Sequence, residues 1–424
     1  MARIIFHVDV NSAFLSWSAV YRLKELGEKE DLRLVPSIVG GDEESRHGIV
    51  LAKSTPAKKY GIETAEPVAA ARRKCPGLVV VPSDFSVYRR YSADFMAILR
   101  SYSEKVIQYS IDEAWVVFDG YESIYGDMVE FAYKLKDEIK ERLGFTVNIG
   151  VSDSFLLAKM AGDFSKPDKV HTLFPDEIEK KMWPLPISDL LYAGKSMTKA
   201  MRNLGILTIG DLAHFDRKVI DNNFGKFGLA LWGYANGEDI EPESWEEMTR
   251  KGYGHSTTTA ENTEDMETAR EILLNLSESL ASRLRKDGVK AYCITVSVRY
   301  ADFTHISKQK TLDDPISGGV EICNTAMDLL KTIWHEDRPI RQLGVRATKV
   351  TESDYHQMTI FDITEEQDGA ADDADSAGSG AGDGKITALH DGEELLVNRE
   401  KAEESMDELR KRFGKDIIKK GSQL

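Results

Sequence analysis

Three acidic residues carry the strongest chemical signal in this chain of 424 residues. Asp9 closes the short apolar run 3–9 (RIIFHVD), and Asp112 and Glu113 stand side by side within 105–118 (KVIQYSIDEAWVVF). β-Branched and aromatic residues predict a buried strand over 3–9, and two strands joined by a tight turn at 110–112 over 105–118. Gathered at one sheet edge, three carboxylates repel one another unless cations sit between them, and hard oxygen donors suit Mg²⁺. Two such ions about 4 Å apart would activate a hydroxyl nucleophile and stabilise a pyrophosphate leaving group in an in-line displacement. Charge alone favours the plainer reading, solvated carboxylates at strand ends, and leaves the choice open.

The elements that would position these residues follow from periodicity. Ile124, Met128, Phe131, Leu135, Ile139 and Leu143 recur at helical spacing and predict an amphipathic helix over 124–143. A strand over 145–151 and a helix over 154–164, ended before Pro167, come next. The order β, long insertion, ββ-α-β-α predicts an α+β, split ferredoxin-like sandwich over 1–12 and 80–170, with the insertion 13–79 as a small subdomain. Residues 171–240 are helical and broken by glycines, with a helix-hairpin-helix pattern in 187–191, Ala193-Gly194-Lys195 and 196–204. The Glu-rich segment 241–253 reads as a linker. Residues 254–356 give a second unit ordered β-α-β-β-α-β. There Ile294, Val296 and Val298 alternate with Thr295, Ser297 and Arg299, so one face of its sheet stays polar.

Bulk properties bound the function classes. The formal net charge of −16 argues against a phosphate-rich partner, but 362–383 holds eight acidic residues and no basic one. Local grooves therefore decide. No signal peptide or long apolar run is present, which predicts a soluble, cytoplasmic protein without a membrane partner. Cys75, Cys293 and Cys323 lie far apart, so neither a disulfide framework nor a zinc ribbon is expected. The Gly/Ala/Asp/Ser-rich tract 362–385 reads as a disordered acidic linker. The tail 386–424 carries a charged amphipathic helix at 399–413.

Several motifs resemble those of the Y family of translesion DNA polymerases, in its DinB/UmuC branch. HVDVNSAF at 7–14 is similar to the family's first metal motif, and YSIDEAW at 109–115 to its Ser-Ile/Leu-Asp-Glu-Ala-Tyr signature. FLLAKMAGDFSKP at 155–167 resembles its palm helix, ending in Lys-Pro. The resemblance spans 1–361 and implies a right-handed polymerase. Its parts would be a palm (1–12 and 80–170), fingers (13–79), a helical thumb (171–240) and a little finger (254–356). It implies two Mg²⁺ ions held by Asp9, Asp112, Glu113 and the Val10 carbonyl, with Glu113 close to the primer hydroxyl. Phe14 would be the ring that excludes a ribose 2′-hydroxyl, with Ala13 beside it in the nucleotide pocket. Lys166 would contact the triphosphate. Thr55-Pro56-Ala57-Lys58 stands where the family has Tyr-x-Ala-Arg, so Thr55 and Lys58 would serve the phosphates, Lys58 as a point charge without a guanidinium's fork.

For the duplex, the resemblance offers the backbone of Gly194 and Lys195 to a phosphate and places Arg299, Lys308, Lys310 and Arg346 on a DNA-facing sheet. Gln357-Met358-Thr359-Ile360-Phe361 resembles a sliding-clamp peptide, with Gln357, Met358, Ile360 and Phe361 as its contacts. Implied partners are primer-template DNA, deoxynucleoside triphosphates and the clamp, for a monomeric enzyme. No second carboxylate set suggests a proofreading exonuclease. Two other classes compete. One is a non-catalytic accessory protein that binds DNA or the clamp. The other is a diguanylate cyclase, suggested by Gly40-Gly41-Asp42-Glu43.

Overall fold

In the computed structural model, which describes residues 3–41, 48–240, 242, 250–334, 338–352, 405–408 and 412, the chain divides into two units between Met248 and Thr249. The first strand, β1 (Arg3–Val10), shows why its run reads as continuously apolar. It sends Phe6, Val8 and Val10 into one core and Ile5 into another, so both faces are covered. The first unit continues with β2 (Ser37–Gly40), β3 (Val50–Lys53), β4 (Val79–Val81), β5 (Lys105–Gln108), β6 (Glu113–Asp119), β7 (Val147–Ser152) and β8 (Val170–Thr172). The palm sheet has the order β5-β6-β1-β7-β8, with β1 antiparallel to both neighbours and β8 parallel to β7.

The helices Ala13–Lys24, Phe85–Tyr102 and Met128–Leu143 cover one face, adding Trp17, Phe95 and Phe131 to the core of Phe6 and Val8. On the other face Leu156, Leu212 and Leu231 join Ile5 and Trp115. One expectation shifts. The predicted helix 124–143 breaks at Gly126 (φ 74°), and Asp127 restarts it by accepting the Glu130 N–H at 2.8 Å. The helix Ala13–Lys24 packs on β2 and β3 as well as on the helix Phe85–Tyr102, and its Leu15 and Trp17 share one core with Val39 and Ala52 of those strands and with Phe95. The three-stranded sheet β3-β2-β4 has its own small core of Ile38, Val50, Ala57, Ile62, Val68 and Leu78.

One contact ties the helical region after β8 to the palm. The Asp239 carboxylate accepts the Phe155 and Leu156 N–H groups at 3.1 and 2.8 Å and the Ser154 hydroxyl at 2.8 Å. It thus caps the helix Phe155–Gly162 from outside, where the dipole favours an anion. Asp239→Ala is expected to lower stability by about 1–2 kcal/mol, measured by denaturant unfolding, while Asp239→Asn retains about half of the loss.

The second unit contains β9 (Gly252–Thr263), β10 (Val289–Tyr300), β11 (His305–Ile316) and β12 (Ile340–Glu352), with helices Met266–Lys286 and Gly319–Ile333. The element order is the expected β-α-β-β-α-β. The sheet order is β11-β10-β12-β9, all antiparallel, so the last strand lies between β9 and β10. Leu273, Leu280 and Leu330 cover one face with Ile294 and Val296. Register decides which side chains share the other, because directly opposed residues project the same way. Arg299 opposes Gln342 and Thr295 opposes Arg346, which puts both arginines on the open face. Lys308 opposes Val296 and Lys310 opposes Ile294, so both belong to the helix-covered face and are exposed only because β11 is an edge strand. The four cations expected on one surface are therefore split two and two.

Gln357, Met358, Ile360 and Phe361 lie outside the described residues, as do the tract 362–385 and most of 386–424. Within the latter, 405–408 is helical, and Asp407 pairs with Arg285 of the second unit at 2.6 Å. Among the described residues no helix is long and apolar enough to cross a membrane.

Candidate active site

The register of β1 on β6 sets Asp9 directly opposite Glu113, so both carboxylates emerge from the same sheet face. Asp112 sits one residue earlier, in the turn. Its carbonyl accepts the Val10 N–H at 3.0 Å, and its carboxylate accepts the Ser110 hydroxyl at 2.6 Å. Sequence adjacency and strand pairing thus place all three acids at one end of the sheet.

Each acid also has a partner of its own. His7 Nε2 lies 3.0 Å from Glu113, and the ammonium of Lys159 touches the same carboxylate oxygen. Burial pushes the Glu113 carboxyl up, but the hydrogen bond from His7 and the charge of Lys159 outweigh it and carry it down to about 2. Burial lowers the His7 imidazole. Lys159 is itself buried and lies 4.7 Å from the Tyr109 ring centroid. The Asp9 carboxyl is pushed up by burial, and the ammonium of Lys166 offsets only part of that. Lys166 also reaches Asp163 at 2.8 Å; burial favours loss of its proton, yet the Asp9 charge holds that proton more firmly than usual.

Among the described residues, no three His, Cys, Asp or Glu side chains converge closely enough to cage an ion. The reason is visible in these pairings, since each carboxylate turns to its own partner. The donor set still fits a hard divalent cation. Two carboxylates face each other across a strand pair, a third adjoins them, and lysine ammoniums supply the positive charge that the cluster requires. Lys159 was not singled out from the sequence, although a lone lysine in the apolar run FLLAKMAG was the available signal.

Asp9 and Lys166 share a cleft with Thr55 and Lys58 of the fingers, and Asn11 and Arg33 line it as well. Ser54 fixes the short helix Thr55–Lys58: its hydroxyl accepts the Ala57 N–H at 3.1 Å and donates to the Val35 carbonyl at 2.7 Å. Arg33, unanticipated from sequence, donates to the Gly144 carbonyl at 2.6 Å and pairs with Asp31 at 2.8 Å. Three cations on one cleft make a site for a polyphosphate. The other two expected nucleotide contacts lie between Ser12 and Leu15, which also line the cleft. Ala13 is buried in the palm core. Phe14 is half-buried, with its ring stacked on Tyr88 at 4.7 Å and edge-on to Phe85 at 5.8 Å.

In the thumb region, 187–189 is a single 3₁₀ turn rather than a helix, and Gly194 caps the helix Lys195–Asn203. At the turn before that helix the positive φ falls on Tyr192 (φ 68°), not on Gly194 (φ −65°). Its hydroxyl is raised by burial and hydrogen-bonds to Tyr109, the ring beside Lys159.

A two-sided palm sheet with opposed carboxylates, beside a cationic cleft roofed by small fingers, defines a right-handed nucleotidyltransferase of the Y-family type. Residues 8–163 match the impB/mucB/samB family, and 250–360 match the C-terminal domain of the same family. The chain is 44% identical to DNA polymerase IV of Clostridium acetobutylicum over 363 residues, covering 85% of this chain and 91% of the relative. It is 31% identical to DNA polymerase IV of Clostridium kluyveri over 425 residues, covering 100% of this chain and 98% of the relative. Among solved structures, a Y-family polymerase chimera of Dbh and Dpo4 superposes with a TM-score of 0.68 at 25% identity, covering 82% of this chain and 99% of that one. The DinB structure from Sulfolobus solfataricus gives 0.50 at 25% identity, covering 81% and 98%. The chain belongs to the impB/mucB/samB family, the DNA polymerase IV group of the Y family. It is a DNA-directed DNA polymerase acting in translesion synthesis, and neither the accessory-protein nor the cyclase reading is supported. Y-family polymerases generally use divalent metal ions.

Proposed function

We propose that the cleft carries out error-prone addition of deoxynucleotides to a primer 3′-hydroxyl, without proofreading, with two Mg²⁺ held by Asp9, Asp112, Glu113 and the Val10 carbonyl. The observation that carries this reading is the placement of Asp9 opposite Glu113 in register, with Lys166, Lys58 and Arg33 on the cleft that Asp9 lines. Bound there, the ions would lower the pKa of the attacking hydroxyl and stabilise the leaving pyrophosphate. The 3′-oxygen forms a bond to the α-phosphorus as the bond from that phosphorus to the bridging oxygen breaks. Lys58, Lys166 and Arg33 orient the triphosphate, and Thr55 donates a hydroxyl to it. Lys159 and His7 hold Glu113 ionised and aimed. The backbone at Gly194 and Lys195 grips a duplex phosphate. Arg299 and Arg346 on the open sheet face add duplex contacts, and Lys308 and Lys310 add theirs from the exposed edge strand β11. Gln357, Met358, Ile360 and Phe361 dock on a sliding clamp.

Primer extension on a template with one abasic site, with Mg²⁺ and four deoxynucleotides, tests the reading. Bypass is expected. Failure to extend even an undamaged template with clamp present would end it. Phe14 supplies a sharper assay. Its ring is backed by Tyr88 and Phe85, which supports its reading as the group that meets a 2′-hydroxyl. Phe14→Ala is expected to reduce discrimination against ribonucleotides by about a hundredfold, ~2.7 kcal/mol, in single-nucleotide kcat/KM ratios. An unchanged ratio would remove Phe14 from sugar selection.

A further inference from the structure

Two buried amides, Asn11 on the cleft wall and Asn148 hydrogen-bonded to it, are not used by the reaction as described. Asn148, on β7, is fully buried. Its Nδ2 donates to the carbonyls of Gly162 at 3.0 Å and Ser165 at 2.7 Å. Its Oδ1 accepts from Asn11 Nδ2 at 3.1 Å and from the Lys169 N–H at 3.3 Å. Asn11, two residues after Asp9, completes the relay. Its Oδ1 accepts the Asp168 N–H and the Thr146 hydroxyl, each at 2.9 Å. Four backbone groups of 162–169 are therefore held by two side chains rooted in β1 and β7.

That segment carries Lys166. It lies between the end of the helix Phe155–Gly162 and the start of β8, so regular backbone pairing does not fix its path. The alternation of carbonyl and N–H partners demands an amide at 148. A carboxylate could not donate to Gly162 and Ser165, and an aliphatic residue would take the Asn148 partner from four polar groups, those of Gly162 and Asn11 being buried.

We infer that Asn11 and Asn148 are positioning residues that place the Lys166 ammonium for the nucleotide triphosphate. This rests on the reading of Lys166 as a triphosphate contact. A lysine is a point charge on a flexible stem, so its value to the polyphosphate depends on where its backbone is held. A displacement of about 1 Å is enough to cost a large part of such a contact.

The test is a double-mutant cycle on single-nucleotide insertion with full-length enzyme, primer-template and Mg²⁺. Lys166→Ala is expected to raise the KM for deoxynucleotide about tenfold or more. Asn148→Ala and, at the cleft edge, Asn11→Ala are expected to raise KM about fivefold to tenfold, with the dissociation constant for DNA unchanged. Combined with Lys166→Ala, each is expected to add less than about twofold, because the group it positions is gone. Asn11→Asp, which keeps the acceptor for Asp168 and Thr146, is expected to recover part of the loss. Thermal melts accompany every variant, and Asn11→Ala serves alone where Asn148→Ala does not fold. If Lys166→Ala leaves KM unchanged, the triphosphate reading of Lys166 fails. If it raises KM while the asparagine variants add their full effect on top, or have none, the positioning role is overturned and Lys166 keeps its own.

Discussion

Asp112→Ala/Glu113→Ala is expected to abolish primer extension, by more than roughly a thousandfold, while still binding primer-template. The double change removes two of three acids at the sheet end and leaves Asp9 paired with Lys166. It also strips Lys159 and His7 of the carboxylate between them, and an unpaired buried cation is costly. Loss of activity could then report a damaged fold rather than a missing metal ligand. Two companions separate these. Glu113→Gln keeps the volume and an acceptor oxygen for Lys159 and His7, and is expected to melt near the wild type yet extend poorly. Asp112→Ala removes a carboxylate bonded only to Ser110 among the described residues, and so leaves the buried pair intact. Raising Mg²⁺ is expected to recover part of the Asp112→Ala activity and none of the double variant's. A double variant that extends primers at a tenth of the wild-type rate or faster would sink the assignment of these acids.

How much of this was readable beforehand depends on what each residue's placement requires. The carboxylates were legible because strand pairing and sequence adjacency, both local, put them together. The second unit's element order was legible because its helices and strands carry full-length apolar periodicity, as in Leu273, Leu276, Leu280 and Leu284. Register was not. Lys308 and Arg299 read alike on paper, yet the pairing of Lys308 with Val296 turns it to the other face. The packing of the helix Ala13–Lys24 was not legible either, because its Trp17 meets Tyr88 and Phe145, partners far along the chain that no window of sequence reveals. Asn148 was invisible for a related reason. An asparagine in a strand reads as a weak β-former, and its four partners lie on three segments that only the fold assembles. Tyr192 adopts a positive φ where a glycine would be the natural expectation, and its contact with Tyr109 is again tertiary.

Gly150→Ala is expected to be the most damaging single substitution to stability. Gly150 lies on β7 opposite His7, where the helix Phe155–Gly162 crosses the sheet. A Cβ there would stand 1.9 Å from the Ala158 carbonyl oxygen and 2.5 Å from the Gly162 nitrogen. Both obstacles are backbone, so no rotamer change relieves them, and the helix must move off the sheet by about 1 Å or more. Overpacking of this kind costs about 3 kcal/mol, a large share of ordinary domain stability, and corresponds to a melting point roughly 6–12 °C lower. The displacement also reaches the chemistry. Lys159 follows Ala158 on the helix and holds Glu113, and the Gly162 carbonyl is one of the groups that Asn148 grips. At a temperature where the variant remains folded, extension is therefore expected to fall together with nucleotide affinity, a joint defect that neither Glu113→Gln nor Asn148→Ala produces alone. Gly77→Ala, where nothing lies within 4 Å of the added carbon, is the matched control and is expected to melt with the wild type. If Gly150→Ala melts within about 2 °C of that control, helix and sheet are not packed as closely as this site requires, and the contacts of Lys159 with Glu113 and of Asn148 with Gly162 lose their common support.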